Sequence, residues 1–154
     1  MDRSGLVDMN LGFWYEIHVW NTTGGLQPSD LPDHVLALDA APHDWLFPRM
    51  TAVVHHGGAG STAAGFRAGI PTIVIPFMMD QPFWAQRVQE LGVGPRPIPR
   101  GQLTVERLAA AMVTAVSDSG MRRRAAELGA NIRQEDGVAQ AVAGIQRILT
   151  TGTL

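Results

Sequence analysis

The sequence predicts an α/β fold with a doubly wound parallel sheet, and two observations support this prediction. Short aliphatic runs recur along the first half of the chain, as in strands that are buried on both faces. Segments with helical spacing of apolar residues lie between these runs and then fill the second half. Such alternation is typical of parallel sheets covered by helices. We expect residues 31–154 to form this domain and residues 1–30 to supply only an N-terminal strand and loop.

Four segments have the pattern of strands. Apolar residues at alternate positions from Phe13 to Val19, with Tyr15 and Ile17 between them, show the period of a half-buried strand. A loop is expected at residues 21–25, Asn-Thr-Thr-Gly-Gly. The other three strands are continuous aliphatic runs, at residues 35–38, 51–55 and 72–76.

Six segments are predicted to be helices, at residues 42–49, 61–68, 81–91, 104–116, 121–128 and 137–149. The helix at residues 61–68 has small side chains and can lie close to the sheet. Thr104 is a suitable N-cap residue for the helix that follows it. One apolar face of that helix is expected to consist of Val105, Leu108, Ala109, Met112 and Val116. The last helix carries a similar stripe of Val138, Val142, Ile145 and Leu149.

Composition excludes several classes of protein. The 154 residues include twelve Lys and Arg against fourteen Asp and Glu, so no basic field attracts a nucleic acid. Without cysteine there is no disulfide framework and no thiolate metal site, which fits the cytoplasm. The longest apolar runs are broken by proline and are too short to span a membrane, and no signal-peptide core follows Met1.

The segment with the strongest chemical signal runs from His55 to Thr62, with the sequence His-His-Gly-Gly-Ala-Gly-Ser-Thr. A strand leads into it and a helix follows directly. Glycines allow the backbone to approach a phosphate closely, and the first turn of a helix offers unpaired N–H groups in a favourable dipole. The segment therefore predicts an anion site, although a tight turn that needs glycine for packing alone is the alternative.

The two histidines of this segment have different expected roles. Adjacent residues at the end of a strand point to opposite sides, so His55 and His56 cannot easily share a metal ion. No nearby Cys or Asp completes a ligand set, and we expect no metal site. One histidine is expected to be structural and the other to face the ligand.

A competing interpretation is a dinucleotide-binding fingerprint. Gly58, Gly60 and Ala63 satisfy Gly-x-Gly-x-x-Ala, and Asp80 follows twenty residues after Gly60, which would indicate NAD. Against it, Asp80 lies several residues beyond the aliphatic strand that a ribose-binding acid normally closes.

A carboxylate and an amide, Asp80 and Gln81, stand side by side at the next strand-to-helix junction. Such a pair suits the vicinal hydroxyls of a sugar, and Trp84 supplies an aromatic ring nearby. The alternative is that Asp80 caps the following helix and Trp84 packs inside.

Together these motifs resemble the C-terminal domain of the nucleotide-sugar glycosyltransferases with two facing Rossmann-like domains, the GT-B fold, in particular the sterol, macrolide and glycopeptide types. The resemblance spans about residues 31–116. Three ordered motifs carry it, at residues 41–48, 54–62 and 76–81.

The resemblance implies a role for each site residue. His56 would stabilise the diphosphate leaving group, together with the backbone and hydroxyls around Gly58, Gly60, Ser61 and Thr62. Asp80 and Gln81 would bind the donor hexose, and His43 to Leu46, including Trp45, would bracket the base. The family needs no metal and inverts the anomeric centre. Plant members carry a ribose-binding glutamate at the position of Ala64, so the resemblance leaves the base and the ribose open. UDP-glucose is the first choice of donor and a TDP-sugar the second.

The acceptor site and the general base belong, in this family, to an N-terminal domain that the chain does not contain. We therefore expect the isolated chain to bind a nucleotide sugar and to transfer little or none. A second hypothesis is a freestanding half that works with a separate partner chain, through an apolar patch to which Trp14, Trp20, Phe83 or Trp84 contribute. A domain kept only for scaffolding is disfavoured by the intact His56, Asp80 and Gln81.

Overall fold

The computed structural model of the chain describes residues 17–20, 35–38 and 41–152. These residues fall into two compact units that divide between Pro42 and His43. The boundary expected near residue 30 stays a prediction.

The first unit contains two strands. Strand β1 (Ile17–Trp20) pairs in parallel with β2 (Val35–Leu38), with Ile17 opposite Val35. Strand β2 coincides with the strand predicted at residues 35–38, and β1 overlaps the predicted strand that ends at Val19, extending one residue further. Phe13, Tyr15 and the loop predicted at residues 21–25 lie outside the described residues.

The second unit begins with the short helix α1 (His43–Leu46) and a 3-10 turn (Phe47–Arg49). The elements that follow alternate strand and helix before ending in three consecutive helices. They are, in chain order, β3 (Val53–His55), α2 (Ala59–Ala68), β4 (Thr72–Val74), α3 (Gln81–Glu90), α4 (Val105–Ser117), α5 (Ser119–Gln134) and α6 (Gly137–Thr151). A further 3-10 turn covers Arg100–Gln102.

Strands β3 and β4 pair in parallel, with Val53 opposite Thr72, as the α/β prediction requires. Beyond α3 the chain returns in extended form along the free side of β4. Its hydrogen bonds join Thr72 to Val93, Val74 to Ile98 and Pro76 to Arg100. The partners advance together along both segments, so the run is parallel to β4. Sequence analysis missed this segment because its three prolines, Pro95, Pro97 and Pro99, do not resemble a strand.

Helices cover both faces of β4, which confirms the doubly wound arrangement. Val74 packs into a core with Phe66 of α2, Val88 of α3 and Ala125 of α5. Its neighbour Ile73 points the opposite way and packs with Ala111 and Ala115 of α4, Ile98 and Met121. Both strand residues are only 1% exposed, so each stabilises the fold by about 1.5–3 kcal/mol relative to an exposed position.

Small residues bring α2 close to its neighbours, as predicted. A side chain at Gly65 would lie 2.7 Å from the hydroxyl of Thr72, and one at Gly129 would lie 2.6 Å from the Cα atom of Gly69. The second contact explains why α5 is longer than the predicted helix at residues 121–128. The helix continues through Gly129, where the backbone of the loop after α2 packs against it.

Two predicted helix faces need correction. In α4 the buried side is formed by Leu108, Ala111, Met112 and Ala115, whereas Val105 and Ala109 are exposed. The buried face of α4 is therefore rotated from the predicted one and is centred on Ala111 and Ala115, whose small side chains allow the helix to pack closely.

Helix α6 forms as predicted, but its apolar stripe does not contribute to the core. Val138, Val142, Ile145 and Leu149 are all exposed. Within the described residues, no helix combines the length and apolarity needed to cross a membrane.

Candidate functional site

The turn between β3 and α2 is held by a half-buried histidine. The Nδ1 atom of His55 accepts a hydrogen bond from the backbone N–H of Gly57 at 2.9 Å. The proton of the neutral ring must therefore lie on Nε2, which is buried and has no hydrogen-bond partner among the described residues. His55 thus fixes the backbone that leads into α2, which is the structural role expected of one histidine.

Burial keeps the His55 ring neutral. Removal from water, followed by the charges of His56 and His43, lowers the pKa of His55 from 6.5 to about 4. Protonation would also break the bond from Gly57, because a charged imidazole has no acceptor nitrogen.

The ring of His56 lies at the surface, over the start of α2. A side chain at Gly58 would lie only 2.6 Å from the Nε2 atom of His56, so the imidazole occupies the space that the glycine leaves open. The rings of His55 and His56 meet edge to face, with centroids 6.3 Å apart. Of the two histidines, His56 is the exposed one and can reach a ligand.

The first turn of α2 has free backbone donors. The first helical hydrogen bond joins the N–H of Thr62 to the carbonyl of Gly58 at 3.0 Å, and no side chain caps the helix. The N–H groups of Ala59, Gly60 and Ser61 come before this bond and have no carbonyl within the helix. The first turn also lacks an acidic residue, so its positive dipole end is not neutralised from within.

Glycine occupies three positions of this segment for different physical reasons. Gly57 has a φ of +90°, and a side chain there would lie 2.6 Å from a methyl carbon of Val74, so it serves the fold. Gly58 makes room for the ring of His56. A side chain at Gly60 would meet nothing within 4 Å, which leaves open space in front of the free amides. The packing alternative therefore explains Gly57 but not Gly60.

The two hydroxyls of the segment are not equivalent. Ser61 is half-buried. Thr62 is fully buried, and its hydroxyl donates to the carbonyl of Gly58 at 3.0 Å. The expectation of a ligand contact through both hydroxyls therefore needs correction, since the structure engages that of Thr62 inside the helix.

Asp80 and Gln81 lie together at the N-terminus of α3. Asp80 is the N-cap residue, but its side chain makes no cap and instead accepts a hydrogen bond from the indole of Trp84 at 3.0 Å. The side-chain oxygen of Gln81 accepts from the backbone N–H groups of Phe77 at 2.7 Å and Met78 at 3.1 Å. These bonds use Oδ2 of Asp80 and Oε1 of Gln81, whereas Oδ1 of Asp80 and Nε2 of Gln81 take no part in them. Asp80 is exposed and Gln81 is half-buried.

A cavity of about 760 Å³ opens between α1, α2 and α5. His43 and Gly60, both predicted site residues, line it together with Ala64. Two guanidinium groups, of Arg67 and Arg133, lie in the same wall and were not singled out from the sequence. Arg67 follows Ala63 and Ala64 by one helical turn, and this spacing is the signal that places it on the same face.

Trp45 directly follows two residues that line this cavity but does not line it itself. The ring of Trp45 is exposed, with the guanidinium of Arg49 stacked 4.5 Å from its centre. His43 stacks on Phe47 with ring centres 4.5 Å apart. The structure therefore brings His43, but not Trp45, to the cavity wall.

The geometry departs from a dinucleotide-binding fingerprint. Strand β4 ends at Val74, and Asp80 lies in the turn that opens α3. Among the described residues, no three His, Asp or Glu side chains are arranged to hold a metal ion.

A parallel α/β unit with an uncapped helix terminus at one strand-to-helix turn and a polar pair at the next matches the arrangement expected from the resemblance to the GT-B glycosyltransferases. The family model "Erythromycin biosynthesis protein CIII-like, C-terminal domain" matches residues 15–146, and the chain belongs to this family. It is a C-terminal domain of a GT-B glycosyltransferase.

Curated relatives and solved structures agree with this assignment. The sterol 3-beta-glucosyltransferase UGT80B1 of Arabidopsis thaliana is 45% identical over 130 residues, which are 84% of this chain and 21% of the relative. The sterol 3-beta-glucosyltransferase of Aspergillus clavatus is 50% identical over 119 residues, 77% of this chain and 8% of the relative. The chain thus spans about a fifth or less of the length of these relatives.

Two solved structures show the same fold. The glycotransferase of kitacinnamycin superposes with a TM-score of 0.72 at 30% identity, covering 81% of this chain and 32% of that one. The glycosyltransferase VinC, solved in complex with DTDP, gives a TM-score of 0.70 at 28% identity, covering 77% of this chain and 30% of that one.

Proposed function

We propose that the chain is the donor-binding half of a glucosyltransferase, binding UDP-glucose for transfer to an acceptor hydroxyl. The observation that carries the proposal is the uncapped N-terminus of α2 with the exposed imidazole of His56 beside it. Free amides, a positive dipole end and an imidazole together form a site for a diphosphate.

The three parts of the donor have separate places in the proposal. The diphosphate binds the amides of Ala59 to Ser61 and the Nε2 atom of His56. The nucleoside occupies the cavity lined by His43, with room at Ala64 for the ribose. The names of the sterol glucosyltransferase relatives favour a glucosyl donor, and the complex of VinC with DTDP keeps a TDP-sugar as the second choice.

The hexose lies against Asp80 and Gln81. The free oxygen of Asp80 accepts a bond from a sugar hydroxyl, and the amide nitrogen of Gln81 donates one. The indole of Trp84 and the loop amides use the remaining polar atoms of the pair and hold both side chains in place.

In the transfer step, an acceptor oxygen attacks the anomeric carbon and the bond from that carbon to the diphosphate oxygen breaks. The bonding electron pair leaves with the diphosphate. The α2 amides and His56 stabilise this developing charge, and the proposal requires no metal. The acceptor proton passes to a base outside this chain, in the N-terminal domain.

Because the proposal places this base outside these 154 residues, we expect the residues by themselves to bind the donor without transferring sugar. A separate partner chain in place of an N-terminal domain is the second candidate. The exposed apolar stripe of α6 and the exposed ring of Phe83 are surfaces on which either could dock. Trp14 lies outside the described residues, and the side chain of Trp20 is not among those described.

Calorimetric titration of the purified chain with UDP, UDP-glucose, TDP and NAD tests the proposal. We expect saturable binding of UDP and UDP-glucose, weakened about tenfold by His56→Ala, which removes one charge-assisted contact. Asp80→Asn should weaken UDP-glucose but leave UDP unchanged, because only the sugar reaches Asp80. Glu106→Gln, at an exposed carboxylate in the first turn of α4 and away from the cavity lined by His43, is the control for a lost surface charge.

Binding of NAD alone would reject the proposal in favour of a dehydrogenase-like domain. If Asp80→Asn lowered the affinities for UDP and UDP-glucose equally, the placement of the hexose beside α3 would be wrong.

A further inference from the structure

The cavity between α1, α2 and α5 contains two arginines to which the proposed donor site gives no role. Arg133 is anchored, because its guanidinium donates a hydrogen bond to the backbone carbonyl of Arg67. The guanidinium of Arg67 makes no hydrogen bond or ion pair with the other described residues, although the carboxylate of Asp44 lines the same cavity. Arg67 therefore brings unused N–H donors to the cavity wall.

Arg67 shares one face of α2 with the positions proposed for the diphosphate and the ribose. Gly60, Ala64 and Arg67 all line the cavity, and they follow one another at about 6 Å and about 4.5 Å along the helix axis. Side chains of a helix lean towards its N-terminus, so that of Arg67 extends towards Ala63 and Ala64, whose methyl groups leave space for it. This face therefore presents free amides first, then small residues, and then a guanidinium.

A nucleotide has its parts in a corresponding order, with the ribose between the phosphates and the base. When the diphosphate binds the amides of α2 and the ribose lies at Ala64, the base is next to Arg67. The edge of a pyrimidine that points away from the ribose carries the substituent of C4. In uracil and thymine this substituent is the carbonyl oxygen O4, which is an acceptor, and in cytosine it is an amino group, which is a donor.

We propose that Arg67 selects the base of the donor nucleotide by donating a hydrogen bond to O4 of uracil or thymine. This inference rests on the proposed function, because it needs the diphosphate at the N-terminus of α2. A guanidinium has five N–H donors and no acceptor, so it binds a carbonyl oxygen but opposes the amino group of cytosine. Donors that lose water without gaining an acceptor weaken binding. Arg67 thus rejects cytidine nucleotides and does not separate UDP from TDP.

The test compares the affinities of the whole chain for UDP and CDP by calorimetric titration. These nucleotides carry the same diphosphate and ribose, so a lost positive charge lowers both affinities alike and their ratio reports on the base alone. Arg67→Met removes the donors and keeps a flexible apolar stem. Arg133→Met is the matched control, because it removes the same charge from the same cavity at a guanidinium that is bonded to the backbone.

We expect the parent chain to bind UDP and TDP at least about tenfold more tightly than CDP. Arg67→Met should lose this preference, and Arg133→Met should keep it. A preference for UDP that is unchanged in Arg67→Met would overturn the inference. The same conclusion would follow if Arg133→Met lost the preference to the same degree, because the base would then not be selected by Arg67 in particular.

Two measurements on the parent chain decide the inference without any variant. In 4-thio-UDP a sulfur atom, which is a weak acceptor, replaces O4, so this nucleotide should bind more weakly than UDP. Equal affinities for UDP and 4-thio-UDP, or for UDP and CDP, would overturn the inference and leave the proposed donor site standing. Failure of UDP to bind the parent chain would reject the donor site itself, and the inference with it.

Discussion

The N-termini of α4, α5 and α6 differ from that of α2 in how their free amides are satisfied. Thr104 caps α4 by accepting from Arg107, Asp118 caps α5 through Met121, and Asp136 caps α6 through Ala139. Helix α2 begins at Gly58, which has no side chain to accept a bond. A cap of this kind stabilises a helix by about 1 kcal/mol, so α2 gives up a stabilisation that the later helices have.

The difference separates helices that serve the core from a helix whose end faces a ligand. The uncapped amides of α2 stay available to an anion, and His56 is placed where a capping side chain would stand. The same reasoning extends to α3, where Asp80 occupies the N-cap position but bonds Trp84 instead of the helix. Among α2 to α6, the two helices without a side-chain cap are those at the proposed donor site.

The largest expected effect comes from giving α2 the cap that it lacks. Gly58→Asp introduces a carboxylate at the free amides and displaces the ring of His56. Gly58 has φ −61° and ψ +146°, which any residue can adopt, so the fold should keep or gain a few tenths of a kcal/mol, about the difference between a glycine and an aspartate cap. UDP affinity should fall about a thousandfold, which is about 4 kcal/mol. Calorimetry and thermal unfolding measure the two effects separately.

Gly137→Asp is the matched control, because it adds the same group in open space at the start of α6. It should leave UDP affinity unchanged. Nucleotide binding by Gly58→Asp that equals the parent's would mean that the diphosphate lies away from α2, and the comparison of capped and uncapped helices would lose its functional meaning.

The second effect concerns the turn that leads into α2. Because the pKa of His55 is lowered to about 4 in the folded state, the unfolded chain takes up a proton first as the pH falls below 6.5. The free energy of unfolding should therefore decrease between pH 6.5 and about 4, by about 3 kcal/mol for a shift of this size. Urea unfolding at a series of pH values measures the decrease.

His55→Asn keeps an acceptor near the N–H of Gly57 and removes the titrating group. Its stability should change less over the same range, since carboxylates contribute equally to both proteins. If both proteins showed the same pH dependence, the low pKa of His55 would be wrong, and another group would govern the acid sensitivity.

Much of the fold was predictable from the sequence, because strands buried on both faces leave a clear signal. The predicted runs at residues 51–55 and 72–76 are mainly aliphatic and end in histidine and proline, and they contain the parallel strands β3 and β4. The helix predicted at residues 61–68 is present as α2, which begins two residues earlier, at Ala59. The N-cap at Thr104 was predictable because a threonine directly precedes a segment with helical spacing of apolar residues.

Other features required the structure because distant contacts determine them. The extended segment beside β4 exists because the carbonyls of Val74 and Pro76 accept from Ile98 and Arg100, and no local pattern shows this. Arg133 reaches the cavity from α5, 66 residues after Arg67. Two other features also depend on backbone geometry that composition does not reveal. One is the hydrogen bond from the hydroxyl of Thr62 to the carbonyl of Gly58. The other is the pair of hydrogen bonds that the side chain of Gln81 accepts from Phe77 and Met78.

The smallest effect tests the other half of the comparison. Asp118 caps α5, and Asp118→Ala removes the bond that it accepts from Met121 at 2.9 Å. Met121 is buried in the core beside Ile73, so the cap also positions a packed side chain. We expect a loss of about 1 kcal/mol in the free energy of unfolding, measured by urea titration, with no change in UDP affinity.

Asp118→Asn keeps a side-chain oxygen and should recover most of the stability, which separates the loss of the hydrogen bond from the loss of charge. A fall in UDP affinity on cap removal, at unchanged fold, would mean that α5 communicates with the donor site through its packing on α2. In that event the capped helices could no longer be treated as serving the core alone, and the cavity wall contributed by Arg133 of α5 would be the first place to look for the coupling.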